Sequence, residues 1–217
     1  MTLRVIAGSA RGRKLKSVPG DTTRPVMDRV KEALFNILAG DVLDSNWWDL
    51  FAGTGAIGIE ALSRGASFVR FSDLNRGPVE TIKENVEHCG FSKQAEVRKG
   101  DAFSMLSAPV DRKFEYIYIA PPQYQEMWAK ALKLVDDHIG WLIDDGTVIV
   151  QIDPTEYQEI ELKNLEETEQ RKYGSTLIIF YDRISYSNEK EHPQQDALFD
   201  SVSFIRESSS NWSSSWN

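Results

Sequence analysis

Between Trp47 and about Gln151 five short runs, WWDLFA, FVRFSD, AEVRKG, FEYIYI and TVIVQI, alternate with amphipathic stretches near 56–64, 77–89, 102–107 and 126–139. Runs this short and rich in β-branched and aromatic residues suit strands, whereas the stretches between them repeat apolar positions at helical spacing. Strand-helix alternation over this length predicts the α/β class, a mostly parallel, doubly wound sheet with helices on both faces. Ligands of such a sheet bind beyond the carboxyl ends of its strands.

The flanks break the alternation. LRVIAGSARGRKLKSV predicts a β-hairpin over residues 3–18 with a Gly-, Ser- and Arg-rich turn. Then comes a helix that Asp28 can cap, with Val30, Leu34, Ile37 and Leu38 on one face and Gly40 at its end. Downstream, LEETEQRKYGSTLIIFYD reads as two antiparallel strands meeting at Tyr173-Gly174-Ser175. Eight serines fall between residues 201 and 217, where little could build a core, although Leu198, Phe199, Phe204 and Ile205 could dock as a short motif. The expected organisation is a basic hairpin and helix at 1–40, a catalytic domain at 41–185 and a polar flexible tail at 186–217.

A net charge of −8 over 217 residues conceals an asymmetry that bears on partners. Residues 1–31 hold eight Lys or Arg against Asp21 and Asp28, a local +6, so the remainder carries −14. A basic arm on an acidic body suits a phosphate-binding edge, since the local field governs association; a solvated hairpin is the plain alternative. One cysteine, Cys89, excludes an internal disulfide, and His88, His138 and His192 show no metal-ligand spacing with it. With no apolar run of membrane-spanning length and no signal-peptide core, the expectation is a cytoplasmic, metal-free monomer without membrane association.

DLFAGTGAIG places Gly53, Gly55 and Gly58 between a strand and a helix, as a nucleotide-binding turn requires. NAD, FAD and S-adenosylmethionine sites share such turns, so the neighbouring acids must discriminate. Asp49, Asp73 and Asp101 fall at three successive strand ends. Three carboxylates repel a pyrophosphate but suit a ligand with a positive centre and an amino group, such as S-adenosylmethionine. Asp73 can accept from both ribose hydroxyls and Asp101 can meet an adenine amine, although a helix cap would also explain Asp101.

With RVIAGSARGRKL, TRPVMDRVKEALFNIL, DLFAGTGAIGIEALSRGA, GDA and RKYGST in this order, residues 3–183 resemble the RsmD family, bacterial methyltransferases that modify the N2 amine of a guanine in small-subunit ribosomal RNA. The resemblance implies a seven-stranded Rossmann-like methyltransferase sheet with an antiparallel last hairpin, and small-subunit RNA or the small subunit itself as partner. It places Asp49, Phe51, Gly53, Gly55, Asp73, Asp101 and Ala102 on the S-adenosylmethionine site, and Arg11, Arg13, Lys14, Arg24 and Arg29 on an RNA-facing segment. It also implies that the helix at 28–38 packs beside the donor pocket.

One stretch departs from the family pattern. Where the family has Asp or Asn, Pro, Pro and an aromatic, this chain has Ala120, Pro121, Pro122 and Gln123, with Tyr124 one place late. An acceptor for the amine can then come from the backbone carbonyls of Ala120 and Pro121 or from Gln123, with Tyr124 stacking on the base; Asp153, followed by Pro154, better fits a turn. Loss of a charged acceptor worth about 1.5–3 kcal/mol predicts a reaction roughly 10- to 200-fold slower, not a dead enzyme. The alternatives are an RNA-binding or ribosome-assembly protein that retains the donor pocket, a DNA adenine or small-molecule methyltransferase, and a nicotinamide enzyme.

Overall fold

The computed structural model describes residues 3–19, 28–123 and 126–184. The expectations for Arg24, Tyr124 and the tail lie outside the described residues. The chain divides into two compact units, Met1–Ser185 and Tyr186–Asn217, and the fold below is that of the first.

Its seven strands are β1 (Asn46–Asp49), β2 (Phe68–Asp73), β3 (Ala95–Lys99), β4 (Phe114–Ile119), β5 (Leu142–Ile152), β6 (Leu165–Tyr173) and β7 (Thr176–Arg183). They form one sheet in the order β3-β2-β1-β4-β5-β7-β6. β1 to β5 are parallel and β7 returns antiparallel between β5 and β6. The chain order reverses between β1 and β4, the crevice where doubly wound sheets hold ligands. Helices α1 (Asp28–Leu38), α2 (Ala56–Ser63), α3 (Arg76–Cys89), α4 (Ala102–Leu106) and α5 (Met127–Asp137) complete the layers. None of the helices in the described residues is long and apolar enough to cross a membrane.

Alternation along the strands creates two cores. Trp47, Tyr116, Tyr118 and Ile149 face a cluster with Leu3, Val5, Val30, Leu34 and Ile59, beneath the amino-terminal arm, α1, α2 and α3. Trp48, Ile117, Ile119 and Val148 face the opposite cluster with Leu106 of α4 and Trp128 and Leu132 of α5. All four tryptophans of the folded unit, Trp47, Trp48, Trp128 and Trp141, are buried as packing groups. Beside them the buried Arg70 lies over Trp48 and Phe114 while its guanidinium binds Glu96 and Asp111.

The flanks differ from expectation in detail. Residues 3–18 turn back on themselves, but only Arg4 and Lys14 form a bridge. Full strands do not form because the amides of Ile6 and Ala7 bond the carboxylate of Glu60 instead of a strand partner. In α1 the buried stripe includes Lys31 and Phe35, while Ile37 lies at its margin. Residues 3–15 and α1 share a core with the sheet.

Candidate active site

The glycine-rich turn is built from the switch point outward. The chain leaves β1 at Asp49, the Leu50 amide bonds Tyr118 of β4, and the Ala52 amide bonds Ser72 of β2, so the loop is anchored to both neighbours of β1. Gly53 and Gly55 take φ of +54° and +77°, which L side chains rarely adopt. A Cβ on Gly58 would lie 2.3 Å from the Phe71 ring, so this glycine lets α2 close onto β2.

The acids converge on that loop. Asp49 is buried, and its Oδ2 accepts the Gly58 amide at 3.2 Å, in the first turn of α2. Burial pushes its carboxyl up to about 7, against the Gly58 hydrogen bond and with help from the Asp73 charge. Asp73 accepts the Gly53 amide at 3.1 Å through Oδ2 and the Asn75 amide at 2.9 Å through Oδ1. Asp101 caps α4, accepting the amide and hydroxyl of Ser104. Ala102 is buried beneath it, and Phe51 meets Phe103 edge on, with centroids 6.3 Å apart. Leu74, 58% exposed, leaves an apolar side chain beside Asp73.

Asp49 carries a testable cost. In an unfolded chain its carboxyl titrates near 3.9, so below about pH 4 both states are protonated and burial exacts no charge penalty. Between pH 4 and 7 the unfolded state loses its proton first and stability falls, and above 7 the full penalty is present. Asp49→Asn, which keeps an oxygen for Gly58, is therefore expected to raise the unfolding free energy from urea titration at pH 8 by a margin on the order of 1–4 kcal/mol that shrinks toward pH 4. An equal margin at both pH values would show that the carboxyl is not held near 7.

The second loop leaves β4 next door. Asp49 and Tyr118 are paired neighbours across β1 and β4, and Ala120, Pro121 and Pro122 follow two residues on. Ala120 packs at the edge of the core beneath α1 and α2, and Gln123 is exposed. The glycine-rich loop and the Pro-Pro loop thus stand side by side at the strand ends.

The basic residues lie elsewhere. Residues 6–10 bond Glu60 and Ser63 at the carboxyl end of α2, and Arg13 reaches the His88 carbonyl at the carboxyl end of α3. The turn bearing Arg11, Arg13 and Lys14 therefore sits at the carboxyl ends of α2 and α3, about one helical turn beyond Asn85. Arg29 is exposed on α1. Among the described residues no ion pair engages Arg11, Lys14 or Arg29, whereas Arg4 pairs with Asp28 and Lys16 with Glu84.

Asn85, which sequence reasoning missed, ties arm to loop. Its side chain accepts the Lys16 amide and donates to the carbonyls of Lys16 and Thr54, the latter between the two loop glycines. A buried asparagine on an otherwise apolar helix face is the one signal that could have found it.

Sheet order, antiparallel last hairpin, glycine loop and flanking acids define a Rossmann-like methyltransferase. The solved structure of yhhF from Escherichia coli superposes with a TM-score of 0.74 at 30% identity, over 85% of this chain and 99% of that one. The family pattern described as conserved hypothetical protein 95 matches residues 3–182. The chain belongs to that family, as the RsmD resemblance implies. YlbH of Bacillus subtilis (strain 168) is 37% identical over 187 residues, 83% of this chain and 99% of the relative. Ribosomal RNA small subunit methyltransferase D of Haemophilus influenzae is 36% identical over 152 residues, 69% of this chain and 78% of the relative.

Proposed function

We propose that this protein transfers a methyl group from S-adenosylmethionine to the N2 amine of a guanine in small-subunit ribosomal RNA. The observation that carries the reading is the juxtaposition of the acid-flanked glycine loop after β1 with the Pro-Pro loop after β4, on adjacent strands. The family relatives named for small-subunit ribosomal RNA methylation support the substrate.

The residues fit a cationic donor. At Gly53 a Cβ would meet nothing within 4 Å, leaving open space over the loop, and the surrounding charges are carboxylates. Asp73 would hold the ribose hydroxyls, Asp101 and Ala102 the adenine edge, Phe51, Phe103 and Leu74 its faces, and Asp49 the positively charged end. When bound, S-adenosylmethionine supplies an electrophilic methyl: the amine lone pair forms the N–C bond as the S–C bond breaks, its electrons return to sulfur, and a proton leaves nitrogen. The chain's own task is to hold that nitrogen in line. Two prolines stiffen the loop and, lacking N–H groups, leave carbonyls that accept from the amine. The flipped base is the geometry such a loop requires.

A basic arm joined to the glycine loop through Asn85 adds phosphate contacts beside the target base, which favours a folded RNA or particle over a free nucleotide. Arg11→Glu with Arg13→Glu is expected to weaken RNA binding and to flatten the plot of log affinity against log salt by about 1–2 in slope, leaving donor affinity intact. An unchanged slope would make the arm a solvated hairpin.

The test of the whole reading is transfer of a labelled methyl group to small-subunit RNA and to assembled subunits lacking the modification, with the product nucleoside identified. N2-methylguanine is the expected product. Donor and RNA binding without label would instead favour the reading that Ala120 motivates, a binding or assembly protein that retains the donor pocket.

A further inference from the structure

The loop after β4 lacks the acid that would draw on the amine, and the structure offers a replacement from the neighbouring strand. β4 and β5 run parallel and their last paired positions are Ile119 and Val150, so one step further Ala120 and Gln151 emerge side by side at the carboxyl edge of the sheet. Tyr118 and Ile149 are paired and belong to the same core cluster. Side chains two residues on project to the same face, so Ala120 and Gln151 both look toward the face covered by α1 and α2. Gln151 is confirmed there from its other side, where it pairs with Ile178, a member of that cluster.

A further contact fixes the amide. The Tyr118 hydroxyl donates to Gln151 Oε1 at 2.6 Å. Burial and the nearby Asp49 raise the Tyr118 hydroxyl well above its usual range, so it stays protonated and remains a donor. An oxygen that accepts from the phenol keeps a second lone pair. Ala120, with only a methyl group, brings no acceptor of its own to that edge.

We propose that Gln151, oriented by Tyr118, is the side-chain acceptor for the target amine, supplied from β5 in place of an acid at position 120. The inference rests on the reading above that an exocyclic amine accepts the methyl. Gln151 Oε1 takes a hydrogen bond from one amine N–H, which steers the nitrogen lone pair toward the methyl carbon. As the N–C bond forms and the S–C bond breaks, the nitrogen becomes cationic and then loses a proton to water; the neutral amide takes no proton.

Four enzymes test it: wild type, Gln151→Leu, Gln151→Glu, and Gln151→Leu combined with Ala120→Asp, each assayed for kcat, donor Kd, RNA Kd and product nucleoside. Gln151→Leu is expected to lower kcat about tenfold with both dissociation constants within twofold of wild type. Gln151→Glu still accepts from Tyr118, so a purely structural role predicts wild-type behaviour. An acceptor role predicts kcat at or above wild type together with a new acid limb in the pH profile where the carboxyl protonates. Ala120→Asp is expected to restore turnover to Gln151→Leu. Wild-type kcat in Gln151→Leu, or no acid limb in Gln151→Glu, overturns the inference alone. A wild type that transfers no methyl, or a product methylated on a ring or ribose atom, overturns the amine reading and this assignment with it.

Discussion

Asp73→Ala is expected to weaken S-adenosylmethionine binding about 10- to 200-fold, the range set by losing a charged hydrogen-bond acceptor. The carboxylate ends β2 one strand from the glycine loop, and it performs two tasks there. Oδ2 holds the Gly53 amide at 3.1 Å and Oδ1 the Asn75 amide at 2.9 Å, so the group is aimed by backbone before any ligand arrives. A ribose diol would hydrogen-bond this same carboxylate. Loss of the side chain therefore removes both a ligand contact and the tether that keeps Gly53 in its left-handed conformation. Asp73→Asn separates these in part: its one amide oxygen can still hold Gly53, while the charged contact and the acceptor for the Asn75 amide are lost. Calorimetry should place Asp73→Asn between wild type and Asp73→Ala, with RNA affinity unchanged in both. Donor affinity equal to wild type in Asp73→Ala would remove this residue from the site.

The parts of this protein that sequence made legible are those where local pattern and fold agree. Strands β1 to β4 and helices α2, α3 and α5 stand within a few residues of the expected runs because each buries its own apolar stripe. β5 begins earlier than TVIVQI, at Leu142, since Gly146 and the neighbouring acids hide the start of an 11-residue strand. Asp49, Asp73 and Asp101 were visible as acids at strand ends, a position fixed by topology. Gln151 was not, because its relevance depends on parallel register with Ala120, and register is a property of two strands. The arm shows the same limit. Its charge was plain, but its location at the far ends of α2 and α3 follows from side chains such as Glu60 that a linear reading assigns to an exposed helix face.

That buried glutamate predicts the largest effect on stability. Glu60 and Lys31 are fully buried, 3.3 Å apart. Glu60 also accepts the amides of Ile6 at 2.8 Å and Ala7 at 2.9 Å and Arg64 Nε at 2.9 Å, while Lys31 Nζ donates to the Arg4 carbonyl. Burial lowers the lysine pKa and the glutamate opposes that shift, so the ammonium depends on its partner. Glu60→Leu strands a buried cation and two amides and is expected to cost about 3–5 kcal/mol, a fall in Tm of roughly 6–20 °C for a chain of this size. Lys31→Met should cost less, because Glu60 keeps Arg64 and both amides. The two changes together should cost less than their sum, since the stranded cation is then gone. Thermal melts of the three variants measure this coupling, and strict additivity would show that the pair is not coupled. Because α2 starts at the donor loop and its far end carries the arm, milder variants such as Glu60→Gln are expected to weaken RNA binding more than donor binding. The opposite order would mean that the clamp serves the loop and not the arm.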